Sequence, residues 1–175
     1  MSKNSEKPAT PLKPASINQL KQALRNHSPE ELTEFCLRMA RFKKENKELL
    51  TYLLFDSDDE PAYILMVKQE IDRQFSEINT SSIYFVKKST RKILRTAQKY
   101  IRYSGLKPTE VELLLHFCRQ MQQFAGCMEN SNALKNIYLR QIDKLQKVLS
   151  TLHEDLQYDY GKELSDLKRR SNVSK

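Results

Sequence analysis

The sequence predicts an all-α domain, a helical bundle or a short solenoid-like stack of antiparallel helix pairs with six or seven helices. Three observations carry that expectation. Apolar residues recur at steps of three and four along most of the chain, the spacing that lines one side of a helix. All six prolines lie outside the helix interiors that this spacing marks, and all three glycines fall just after helical runs. No stretch sustains the alternation of β-branched and polar residues that a half-buried strand requires.

Residues 1–15 hold Pro8, Pro11 and Pro14 among lysine, serine and threonine, and read as a flexible arm. The helical domain is expected over 16–161. Ser16 is placed to cap a short helix carrying Ile17, Leu20 and Leu24 on one side. Ser28-Pro29-Glu30-Glu31 opens a second. Serine caps, proline fits the first turn, and glutamate three residues after the serine completes a capping box. That helix is expected to reach Phe42 and to bury Leu32, Phe35, Cys36 and Met39. A third, about Glu45 to Phe55, presents Leu49, Leu50, Leu53 and Leu54 and pairs with the second as a hairpin.

The acidic break Asp56-Ser57-Asp58-Asp59 supplies caps for a helix with Pro61 in its first turn, running to about Ile78. Then comes the basic stretch from Ile83 to Tyr103, which Gly105 closes as a left-handed cap. Thr109 and Glu112 stand at capping-box spacing at the start of the next helix. Its apolar residues, Val111, Leu114, Leu115, Phe117, Cys118, Met121, Phe124 and Ala125, form a band wide enough to predict a central, buried element ended by Gly126. A last long helix from Ser131 carries Leu134, Tyr138, Ile142, Leu145, Leu149, Leu152 and Leu156, close to a heptad seam. Gly161 is expected to interrupt it, and 162–175 to form a flexible polar tail.

At 175 residues the chain is long enough for one domain with tails. No run approaches a membrane span, and MSKNSEKPATPLKPAS lacks the apolar centre of a secretion signal, so the chain reads as cytoplasmic with no membrane partner. Cys36, Cys118 and Cys127 form no CxxC pair and suggest neither a disulfide framework nor a zinc site.

Catalytic chemistry finds little footing. Glu112 and His116 stand four apart on one helix, and His153-Glu154-Asp155 with Asp159 gathers further polar groups. Neither set supplies the three or four ligands of a metal site. No glycine-rich phosphate loop and no GxSxG motif is present. The expectation is a non-enzyme without cofactor or metal.

Charge is the informative signal. The chain carries +8, and Ile83–Tyr103 alone contributes +7 through Lys87, Lys88, Arg91, Lys92, Arg95, Lys99 and Arg102 with no acidic residue, leaving +1 for everything else. On a helical wheel started at Ile83, these cations occupy an arc from about 40° to about 180°. Ile83, Val86, Ile93, Leu94, Ala97, Tyr100 and Ile101 occupy the opposite side, from about 260° to about 20°. Tyr84 falls inside the cationic arc, and Phe85 and Tyr103 border it. Cations neutralise phosphates, exposed aromatics stack on unpaired bases, and Ser81, Ser82 and Ser89 can donate to phosphate oxygens. Arg38, Arg41, Lys43 and Lys44 form a smaller second basic cluster.

Two readings follow. The first is a binding module whose 83–103 face engages RNA or DNA phosphates with low sequence specificity. The alternative is a helical scaffold that binds an acidic protein surface or self-associates as a homodimer through the 134–156 seam. A third possibility is that Asp56, Asp58, Asp59 or the Glu154–Asp159 cluster neutralises the basic face from within.

The segments TRKILRTAQKYIRYSG, TEVELLLHFC and TLHEDLQYDYG resemble an uncharacterised family of bacterial all-helical proteins over about residues 28–161. That resemblance implies a cytoplasmic bacterial protein and brings no activity, cofactor or site residues. In its paired helices the chain is similar to HEAT- and armadillo-like superhelices.

Overall fold

A computed structural model describes residues 13–172, with side chains described to Arg169. Most of the expected N-terminal arm, residues 1–12, lies outside the described residues. The fold is all-α, and the described residues contain no strand. The chain divides between Leu50 and Thr51 into two units.

The first unit holds α1 (Ile17–Leu24), α2 (Pro29–Phe42) and α3 (Lys44–Thr51), whose last residue is where the second unit begins. Ser16 and Ser28 each form a complete capping box, with Gln19 and Glu31 respectively. Both helix starts are therefore set by the local chemistry expected of them. The expected burial does not follow. No side chain from 13 to 50 is buried, and Phe35 and Met39, which the periodicity assigned to a core, are exposed. Amphipathic periodicity marks a face that needs cover, and it does not supply the cover.

The second unit opens with a π-helical turn at Tyr52–Asp56, closed by the Ser57 N–H donating to the Tyr52 carbonyl at 2.9 Å. The wider turn leaves Leu53, Leu54 and Phe55 exposed while Tyr52 points into the core, its ring 4.6 Å from that of Tyr63. Next come α4 (Glu60–Ser76), capped by Asp59 accepting from the Ala62 N–H, and α5 (Ile83–Ser104), closed by Gly105 at φ 69°. Then follow α6 (Lys107–Gln122), the short α7 (Ala125–Glu129), α8 (Asn132–Leu149) and α9 (Glu154–Asn172).

Helix α6 is the centre, packed against α4, α5, α8 and α9. Val111, Leu113, Leu114, Leu115, Phe117, Cys118 and Met121 are all buried on it, which bears out the width of its apolar band. Burial pushes the Cys118 thiol far above its usual range, so that sulfur acts as a small apolar group.

Four details correct the sequence expectation. Leu106, not Thr109, stands at the α6 N-cap, and the buried Thr109 hydroxyl turns away to Glu60. Gly126 lies inside α7 rather than ending α6. The single long C-terminal helix is two, because the backbone turns at Ser150–His153 between α8 and α9. The expected tail from 162 is helical to Asn172 and passes through Gly161 without a break. Leu164 and Leu167 on it are buried, and the Leu167 carbonyl accepts from Tyr138 Oη at 3.0 Å and from Gln122 Nε2 at 3.1 Å. That packing outweighs the roughly 1 kcal/mol that a mid-helix glycine costs.

One carboxylate ties the start of the unit together. Glu60 Oε2 accepts from Tyr52 Oη at 2.8 Å, and Oε1 accepts from the Ser104 hydroxyl at 2.5 Å and from the Thr109 hydroxyl. The ends of the π turn, α4, α5 and α6 therefore meet at a single side chain.

Candidate nucleic-acid interface

Helix α5 has two sides with separate duties. Val86, Thr90, Ile93, Ala97 and Ile101, at steps of four, three, four and four, are buried and anchor it to the core. Leu94 and Tyr100 are half-buried, whereas Ile83 at the first turn is exposed. With the inner face fixed, helix geometry sends the cations outward. Lys88, Arg91, Lys92, Arg95 and Arg102 are exposed, and Lys87 and Lys99 are half-buried.

No ion pair among the described residues involves Lys87, Lys88, Arg91, Lys92, Arg95 or Arg102. The expected internal neutralisers are engaged elsewhere or stand apart. Asp59 caps α4, Asp155 lies 3.3 Å from His153, and no ion pair joins Asp56, Asp58, Glu154 or Asp159 to the basic face. Lys99 is different: it lies over the rings of Tyr100 and Tyr103, at 4.6 and 5.9 Å, and its charge acts on Glu70 of α4. Lys99 is thus drawn into the protein's own electrostatics.

At the N-terminal end of this face Tyr84 is 60% exposed and Phe85 is exposed beside it, their rings edge to face at 5.5 Å. Lys87 Nζ lies 6.0 Å from the Tyr84 ring. Charge and stacking surface are thus adjacent in space as they are in sequence. At the other end, a hollow of about 550 Å³ is lined by Gln98, Ile101, Arg102, Gly105, Leu106, Glu110 and Lys144. Lys144 comes from α8, where its Nζ pairs with Glu110 Oε1 at 2.5 Å. Gln98 falls inside the cationic arc of the helical wheel, but Lys144 was not legible as part of the face. Only the packing of α5 against α8 brings Lys144 there, and no local pattern signals it.

The other candidate constellations resolve into structural bonds. Glu112 does not face His116 as a chelating pair. Glu112 instead accepts from Lys68 Nζ at 2.6 Å and from Tyr160 Oη at 2.9 Å, while His116 Nε2 lies 2.6 Å from Asp72 Oδ1. Gln120 Nε2 donates to the same Asp72 oxygen at 2.6 Å. These bonds bind α4, α6 and α9. No group of three or more histidine, cysteine or acidic side chains among the described residues could hold a metal.

Most of the 134–156 seam packs inward. Leu134, Tyr138, Ile142, Leu145 and Leu149 are buried within the unit, where α8 packs on α6 and α9, while Leu152 and Leu156 of the same seam are half-buried. No helix among the described residues is long and apolar enough to cross a membrane. No protein-family model, curated protein or solved structure matches this chain.

Proposed function

We propose that the outward face of α5 binds RNA or DNA through its phosphates, without enzymatic turnover and with little sequence specificity. The observation that carries this reading is the concentration of Lys87, Lys88, Arg91, Lys92, Arg95 and Arg102 on one side of one helix without carboxylate partners among the described residues. From Lys87 to Arg102 the helix rises about 22 Å, enough to follow several consecutive phosphates. Backbone contact without base readout is the chemistry these side chains suit. Tyr84 and Phe85 add a stacking surface for an unpaired base at one end. This role fits a cytoplasmic protein of the bacterial all-helical kind that the sequence resembles.

The test is a fluorescence-anisotropy titration of labelled RNA and DNA with the full chain at low and moderate salt. Six neutralised phosphates on a duplex weaken affinity about a thousandfold between 50 and 200 mM salt. The double variant Arg91→Glu/Arg95→Glu abolishes binding while the thermal midpoint stays near that of the parent. Absence of binding at low salt, or binding by the variant equal to the parent, refutes the proposal. An acidic peptide that displaces the RNA at matched charge favours the alternative reading of this face as a scaffold surface.

A further inference from the structure

The first unit presents a different kind of surface. Helices α1, α2 and α3 have 8, 14 and 8 residues, and none has a buried side chain. Helices shorter than about 12 to 15 residues are marginal in water unless an apolar face is covered. On α2, Phe35, Met39 and Phe42 stand at i, i+4 and i+7 and so share one side. Phe42 is 79% exposed, Met39 57% and Phe35 40%. Together with Arg38, Arg41 and Asn46 they line a hollow of about 440 Å³. Asn46 Nδ2 donates to the Met39 carbonyl at 2.9 Å and so fixes the start of α3 beside the end of α2. The His27 ring meets Phe35 edge to face at 5.0 Å and holds the other end.

The rim has a sign. Arg38 and Arg41 take part in no ion pair among the described residues, and Lys43 Nζ lies 6.0 Å from the Phe42 ring. Over residues 13–50, eight basic side chains face five acidic ones. A second copy of the same face would set arginine against arginine, and like charges across an interface are costly. Nucleic acid would satisfy the arginines and stack on a phenyl ring, but it offers nothing apolar to Met39 in the same hollow.

We infer that the Phe35–Met39–Phe42 face of α2, with the hollow it forms against Asn46, is a docking site for an acidic amphipathic helix of another protein. Such a helix lays its apolar side on the three anchors in the manner of helix-in-groove recognition, and its flanking carboxylates meet Arg38 and Arg41.

The experiment uses the full chain and a fluorescein-labelled helical peptide with leucine at i, i+3, i+4 and i+7 and glutamate at the flanking positions. Its control replaces every glutamate with lysine. Saturable binding of the acidic peptide alone is expected. It weakens at least about tenfold, or roughly 1.4 kcal/mol, in Phe42→Ser/Met39→Ser and in Arg38→Glu/Arg41→Glu. Binding is unchanged in Arg91→Glu/Arg95→Glu, which separates this surface from the α5 face. Circular dichroism checks that each variant keeps its helix content. No saturable binding, equal binding of the lysine peptide, or insensitivity to both α2 variants overturns the inference. So does Phe42-dependent self-association in sedimentation, or Phe42-dependent capture by phosphatidylglycerol vesicles.

Discussion

Helices α2 and α6 are of similar length, 14 and 16 residues, and each carries an apolar band. Helix α6 buries eight residues and α2 buries none. The difference lies in the neighbours. Around α6 stand α4, α5, α8 and α9, most of them long enough to cover a full side of it. Beside α2 in its own unit, the described residues supply only the eight-residue α1 and α3. An apolar stripe becomes core when enough partner surface exists within the unit, and otherwise it remains a surface available for contact.

The sharpest way to break this comparison is to remove one phenyl ring from each side of it. Phe117 is fully buried, with its ring 5.6 Å from that of Phe75. Phe117→Ala is expected to cost about 3–5 kcal/mol in urea unfolding of the full chain. Phe42→Ala is expected to change stability by no more than about 0.5 kcal/mol. Similar losses at the two sites would show that the first unit has a core after all.

A middle-sized effect is expected at Glu60. Glu60→Ala leaves the buried Thr109 hydroxyl without its acceptor and also frees Tyr52 and Ser104. The cost is about 1–3 kcal/mol by thermal unfolding. A loss below that range would mean that apolar packing alone holds the meeting point of the π turn, α4, α5 and α6.

A smaller effect than at Glu60 sits on the outer side of α4. Hydrogen bonds from Arg73 hold the Glu70 carboxyl down at about 2, helped by Gln74. Because the folded value is depressed, the contribution is full above about 4.5, declines as pH falls, and is gone below about 2. Arg73 is more than half exposed, so the contribution is only about 0.5–1 kcal/mol at pH 7. Glu70→Gln should trail the parent by that amount in denaturant midpoints at pH 7 and converge with it as pH approaches 2.

Local features were legible in the sequence and distant ones were not. The capping boxes at Ser16 and Ser28, the cap at Asp59 and the left-handed Gly105 all depend on residues a few positions apart. The two-sided character of α5 needed only the helical period. The turn between α8 and α9 was hidden because Leu149, Leu152 and Leu156 keep heptad spacing straight through it. Gly161 suggested a break because what holds the helix beyond it, the burial of Leu164 and Leu167 and the Leu167 carbonyl accepting from Gln122 and Tyr138, is a tertiary fact. Glu60 gave no signal at all, since its partners Ser104 and Thr109 lie 44 and 49 residues away. In the candidate site, the α5 cations were fully legible and Lys144 was not, for the same reason.

The central position of α6 also has a kinetic consequence. No extensively packed pair of elements in the second unit is separated by more than two intervening helices. Most contacts are therefore local, as in other helical bundles, and relative contact order is low. On that count the unit is expected to fold in microseconds to milliseconds, which stopped-flow or temperature-jump refolding would check. Strand-edge misassembly, the hazard of slower β topologies, has no counterpart among the described residues.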